Sequence, residues 1–121
     1  MPEAGKFDTY VTMKLTGLHN AEAFAEEARS FSLIFESREA LLVLFDWSEL
    51  AGWDEGLSTT ESCRLWASAA RQMRRSAIVH DRQWNRQAAI LGAVLRLNGV
   101  EVRSWRAAER EAAVAWLRQD R

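Results

Sequence analysis

The stretch Ala40-Leu41-Leu42-Val43-Leu44-Phe45-Asp46-Trp47-Ser48, running on into Leu50-Ala51-Gly52-Trp53-Asp54, decides the fold. A half-exposed strand alternates apolar and polar residues. This one is apolar throughout and stops at an aspartate, so it reads as a strand buried on both faces. A shorter copy follows in Ser76-Ala77-Ile78-Val79-His80-Asp81-Arg82-Gln83-Trp84. Two buried strands that each end in an aspartate and lead into a helical pattern form a repeated strand-to-helix unit. Their polar ends are expected to gather along one edge of a sheet.

Working outward, residues 7–16 alternate, with Phe7, Thr9, Val11, Met13 and Leu15 on one face. This predicts a strand near the sheet edge with one face buried, ended by Gly17. A helix over 20–36 places Phe24, Ala28, Phe31 and Phe35 on one stripe. Residues 46–56 read as a loop rich in acids and tryptophan. Ser58 and Glu61 form a capping box for a helix with the stripe Trp66, Ala69, Ala70 and Met73. Arg71, Arg74 and Arg75 fall in its last turn, where the helix dipole accounts for them without a ligand. Asp81 reads as the N-cap of a helix over 82–97 that carries Trp84, Ala88, Leu91 and Leu95, and Asn98-Gly99 stops it. Residues 100–105 form a half-exposed edge strand. A last helix over 107–119 buries Ala112, Ala113, Trp116 and Leu117.

Strand and helix thus alternate four times, which predicts an α/β fold: a mostly parallel sheet of four or five strands with four helices and right-handed crossovers. If all strands are parallel, Gly17, Asp46, His80 with Asp81, and Trp105 converge on the sheet edge where ligands of open α/β sheets bind.

Composition fits one domain over 1–121, since 121 residues at 48% apolar can fill a single core, and one proline with six glycines leaves no linker. The lone cysteine, Cys63, rules out a disulfide framework and a thiolate metal cluster. With no secretion leader and no apolar run near the ~20 residues of a membrane helix, a cytoplasmic protein is expected. The net charge of −1 hides a division: residues 1–61 hold twelve acids against four bases, and residues 62–121 hold five acids against twelve bases. The like charges are scattered singly along helices rather than massed, so no nucleic-acid partner is expected.

His19 and His80 are far apart, with no carboxylate at ligand-like spacing, and no metal is expected. No glycine-rich run follows a strand, so no nucleotide or other cofactor is expected. Cys63 falls inside a helix beside the Trp66 stripe, where thiols are inert. Asp46, His80 and Asp81 stand at strand ends and could serve a small hydrolase or lyase, but helix capping explains Asp81 and no substrate pocket is evident. No catalytic residue is therefore assigned. Each tryptophan alone is explained by core packing. Jointly, Trp47, Trp53, Trp84 and Trp105 at or just past strand ends, with His80 and Asp81, are the candidate ligand-binding residues for a small apolar molecule.

The residues 42–57, the segment Ala77-Ile78-Val79-His80-Asp81-Arg82-Gln83-Trp84 and the closing Ala112-Ala113-Val114-Ala115-Trp116-Leu117 resemble the SpoIIAA-like proteins of the STAS group, over nearly the whole chain. The distinctive part is the apolar strand followed by Asp-aromatic-Ser and a second Asp eight residues on. The resemblance implies a SpoIIAA-like β/α superhelix and a non-enzymatic binding or regulatory role. Anti-sigma-factor antagonists of that group carry a Ser or Thr directly after the second Asp as a phosphorylation switch. Here Glu55 and Gly56 follow Asp54, so the hydroxyl is absent. The resemblance thus places the chain with a divergent branch of small bacterial proteins of unassigned role, for which apolar-ligand binding or peripheral membrane association with lipid has been suggested. Relatives often have a hairpin before the first helix. Only about ten residues can serve here, which leaves an edge open and predicts a homodimer, with a protein partner or small apolar ligand besides.

Overall fold

The apolar run forms a strand, and a longer one than its sequence marks. The computed structural model describes residues 10–36, 38, 40–54 and 59–119. In chain order they form β1 (Val11–Asn20), α1 (Ala21–Ile34), β2 (Leu41–Asp54), α2 (Thr59–Ala69), β3 (Met73–His80), α3 (Asn85–Leu97), β4 (Glu101–Arg106) and α4 (Arg110–Leu117). Short 3-10 turns leave α2 at Ala70–Gln72 and lead into α3 at Arg82–Trp84 and into α4 at Ala107–Glu109. The four strands are all parallel and lie in the order β1-β2-β3-β4, so neighbours in the sheet are neighbours in the chain.

Helices α1, α2 and α3 cover one face of this sheet and α4 covers the other. On the first face Val43, Phe45 and Trp47 pack with Phe24, Phe31, Trp66, Leu91 and Leu95. On the second, Leu44, Ala77 and Val79 pack with Ala113 and Leu117. A central strand covered on both sides has no polar face, which is why the run from Leu41 to Phe45 does not alternate. In β1 only one face is buried, at Leu15 and partly at Val11 and Met13, while Thr12, Lys14 and Thr16 are exposed.

Several expected boundaries move. Phe7 and Thr9 lie outside the described residues, and β1 passes through Gly17 rather than ending there. The expected loop over 46–56 is instead strand as far as Asp54, pairing Thr16 with Glu49, Gly17 with Leu50, His19 with Trp53 and Asn20 with Asp54. Two breaks in register each give β2 one extra residue, and such bulges shift the side-chain alternation. Trp47 and Leu50, three apart, therefore point into the same core. The first bulge is closed by Asp46, whose Oδ1 accepts from the Ser48 amide at 3.0 Å and hydroxyl at 2.7 Å. Its Oδ2 accepts from Arg110 Nε of α4 at 3.3 Å. The second bulge lies opposite Gly17, whose φ of +66° a residue with a Cβ would adopt only under strain.

Helix ends also depart from the reading of the sequence. Asn20 caps α1, its Oδ1 accepting from the Ala23 amide at 2.7 Å. Ser58 lies outside the described residues, and Glu61 instead accepts from Arg29 Nη2 of α1 at 2.7 Å. Asp81 makes no side-chain cap: a backbone bond from Trp84 to Asp81, 3.0 Å, closes a 3-10 turn and α3 starts later. Gly99, at φ +90°, ends α3 as expected, with Val100 N–H returning to the Leu95 carbonyl at 3.1 Å. Ala112, expected in the core, is exposed, because the stripe of α4 runs through Ala113 and Leu117.

The largest correction concerns the arginines. Arg74 and Arg75 are not in a helix but in β3, and Arg75 is only 3% exposed. Its Nη1 donates to the carbonyls of Trp116 at 3.3 Å and Gln119 at 2.7 Å, and its Nε to Glu101 Oε1 at 3.1 Å. A buried cation thus binds carbonyls at and just past the end of α4, where the helix dipole favours positive charge. Arg75→Leu is expected to lower stability by about 2–3 kcal/mol in urea unfolding, through loss of charge-assisted bonds to those carbonyls. Glu101→Gln, at the exposed end of the pair, should cost less than about 1 kcal/mol.

Candidate functional site

The strand ends do not finish level. Asp46 is in register with Val79 and Val79 with Trp105, and His80 is level with Arg106; β2 then continues past the end of β3, paired with β1 alone. This two-stranded ribbon splits the expected line of polar groups. Gly17 lies within the ribbon, Asp46 faces α4, and His80 and Trp105 stand at the ends of β3 and β4. Asp46, His80 and Asp81 do not converge: His80, one residue beyond Val79, faces the opposite side of the sheet from Asp46 and lies beside Trp47, with ring centroids 6.4 Å apart. His80 Nδ1 is bonded to the Asp81 backbone carbonyl at 2.8 Å, and the Asp81 side chain is exposed. Burial pushes the Asp46 carboxyl up, but the two Ser48 hydrogen bonds and the Arg110 guanidinium outweigh it and hold the group below its ordinary value.

On the helix side of the ribbon lies an apolar slot. Trp53 of β2, Phe24 of α1, Cys63 and Trp66 of α2, and Gln87 and Ile90 of α3 line a cavity of about 40 Å³. Phe24 is its hub, with ring centroids 5.3 Å from Trp53, 4.7 Å from Trp66 and 5.9 Å from Trp47. Trp66 is fixed by Nε1 donating to the Phe24 carbonyl at 3.2 Å. Burial raises the pKa of the Cys63 thiol, which keeps it protonated. Gln87 Oε1 is buried with no hydrogen-bond partner among the described residues, as are Trp47 Nε1 and Trp84 Nε1. Of the tryptophans singled out by sequence, Trp53 lines the slot, Trp47 and Trp84 are buried in the core, and Trp105 lies elsewhere, its ring centroid 5.2 Å from Trp116.

Beside the slot, sequence reasoning missed a pair. His19, in the ribbon, lies with Nε2 3.6 Å from Glu27 Oε2 of α1, and its ring meets Phe24 and Trp53. Burial lowers the His19 pKa, and burial pushes Glu27 up to about 7. The signal was present: Glu27 falls three residues after Phe24 and one before Ala28, inside the apolar stripe.

A second, open depression of about 270 Å³ lies where β3 and β4 end, lined by His80, Arg82, Asn85, Ser104, Trp105, Arg106 and Glu109. The six candidate residues thus divide. Trp53 belongs to the slot, His80 and Trp105 to the depression, Trp47 and Trp84 to the core, and Asp81 to the exposed turn between β3 and α3.

A parallel four-stranded sheet in chain order, with three helices on one face and the last on the other, accompanies a sequence match over residues 10–118 to the SpoIIAA-like family model. The chain belongs to the SpoIIAA-like family. Among solved structures it is similar to an uncharacterised protein of the DUF3478 family with a SpoIIAA-like fold from Shewanella loihica PV-4. That likeness has a TM-score of 0.62 at 18% identity and covers 89% of this chain and 83% of that one. No curated protein matches the sequence. The expected fold class is therefore what the chain adopts, with four strands, all parallel, among the described residues. In this SpoIIAA-like chain the Asp-aromatic-Ser triplet is the bulge closed by Asp46 and Ser48, while Glu55 and Gly56 lie outside the described residues. Among the described residues no helix is long and apolar enough to cross a membrane, and no cluster of three metal-ligating side chains occurs.

The His19–Glu27 pair generates a pH dependence. A carboxyl whose folded pKa is raised stabilises the fold fully below its ordinary value near 4.5, and that contribution is lost as pH rises through about 7. His19, with a lowered pKa, acts oppositely: its contribution is present above its ordinary 6.5 and fades as pH falls. Glu27→Gln is thus expected to match the parent at pH 4.5 and to exceed it at pH 8 by about 1–2 kcal/mol, allowing for partial solvent screening. Urea midpoints at the two pH values check this, and an equal shift at both would refute it.

Proposed function

We propose that the protein is a non-enzymatic binding module whose ligand is a small apolar molecule of ring size, taken into the slot between α1, α2 and α3. The observation that carries this is Gln87 Oε1, a buried acceptor without a partner among the described residues, facing a wall of Phe24, Trp53, Trp66 and Ile90. An unpaired buried acceptor costs about 1–3 kcal/mol, which a ligand bearing one N–H or O–H donor would recover. Apolar walls with a single polar anchor are the composition of small-molecule sites. At about 40 Å³ the slot is smaller than a ring, so entry requires α2 and α3 to part.

Indole, an aromatic ring with one donor, is the probe. Titration followed by amide and side-chain NMR should shift Gln87, Ile90 and Cys63, toluene should bind more weakly for want of the donor, and Cys63→Phe, which fills the slot, should remove both responses. No shift at saturating indole would sink the reading.

We also propose a homodimer through β1. Among the described residues β1 is an edge strand paired only with β2, and the exposed Ile34, with the partly buried Val11, Met13 and Phe35, lines a groove along it. A strand edge favours a second chain over a membrane, because its free N–H and C=O groups are satisfied by another strand and not by lipid. Light scattering should give a dimer that Ile34→Lys converts to monomer; a monomeric parent that instead sediments with liposomes would favour the membrane alternative.

A further inference from the structure

We infer that the depression at the ends of β3 and β4 is a second binding site, independent of the apolar slot, for a small phosphate monoester. Its lining carries two arginines against one carboxylate. Arg82, just before α3, and Arg106, the last residue of β4, both line it, and neither guanidinium has an ion-pair partner among the described residues. Two guanidinium groups on one concavity suit an oxyanion that can accept from both, since their planar donor forks pair with phosphate oxygens in a way a single point charge does not.

His80 supplies the second, independent observation. The residue is only 8% exposed, yet it lines the depression. Its Nδ1 is held by the Asp81 carbonyl at 2.8 Å, which fixes the ring. The other ring nitrogen, Nε2, has no hydrogen-bond partner among the described residues. Holding a buried imidazole by one nitrogen while the other meets a concave surface is how a ligand contact is preorganised.

The remaining wall fits the same ligand. Asn85 and Ser104 add neutral donors. The one carboxylate on the rim, Glu109, is engaged with the Arg106 backbone amide at 3.2 Å, on the α4 side. Trp105 also borders the depression, its ring held against Trp116 of α4. The excess of arginine in the second half of the chain thus has a local use at this edge.

Glycerol phosphate is the probe, titrated into the wild-type protein and followed by NMR at constant ionic strength. Shifts confined to His80, Arg82, Asn85, Ser104 and Arg106 are expected, with glycerol itself inert. Arg82→Ala and Arg106→Ala should each weaken binding about tenfold, the strength of a lost charge-assisted bond. His80→Phe should weaken it less, and Arg103→Ala should leave the arginine-dependent affinity within about twofold. Cys63→Phe should leave it unchanged, so failure of the slot reading and failure of this one are separable. Shifts spread over arginines throughout the surface, or equal responses to chloride and sulfate, would overturn the site. So would binding only to vesicles containing phosphatidic acid with none to the soluble ester, which would make the edge a membrane contact.

Discussion

The structure depends on what Asp46 holds. Its carboxylate is nearly buried, and every oxygen is used: one takes the Ser48 amide and hydroxyl and the other takes Arg110 of α4. The first set of bonds closes the bulge that adds a residue to β2, so that Leu50 joins Trp47 in the core. The second ties α4, which covers the other face, to a central strand of the sheet. Burying such a charge is costly unless its oxygens find donors, and here both do. The bulge in turn lets β2 run on with β1 past the end of β3, and that ribbon carries Trp53 and His19 to the slot. The strand-to-ribbon geometry is therefore pinned by one carboxylate with donors on both oxygens.

Fold class was legible because it rests on patterns that survive packing. The solid run Leu41–Phe45 required cover on both faces, and the stripes of α1 and α3 matched the core at Phe24, Ala28, Phe31, Ala88, Leu91 and Leu95. Boundaries failed where a tertiary bond overrode a local signal. Gly17 looked like a strand end because glycine usually punctuates, yet its left-handed backbone accommodates a bulge. Arg75 looked like a helix-end cation. It does satisfy helix carbonyls, but those of α4, more than forty residues away in sequence, a partnership no local pattern encodes.

The site was half legible for the same reason. Strand length decides which end faces what, and the two bulges in β2 were invisible as alternation. Trp47 lies in the core because it continues the regular alternation of Val43 and Phe45. Trp53 kept its place because the ribbon delivers it beyond the sheet. Glu27 was overlooked for a different reason: a carboxylate inside an apolar stripe is easily read as the edge of the stripe, whereas its burial beside His19 pushes its pKa up to about 7.

Sheet order has a consequence for how the chain reaches this state. Because β1, β2, β3 and β4 lie side by side in the order of synthesis, each strand docks onto the free edge left by its predecessor, and none has to be threaded between two others. Each docking closes a loop of modest length, which keeps the entropy of every step small. The same order means that β2, the most apolar strand, is itself a bare edge until β3 emerges some thirty residues later. Growth from one side is topologically simple, and its cost is an interval in which the strand best suited to pair with a foreign chain stands uncovered.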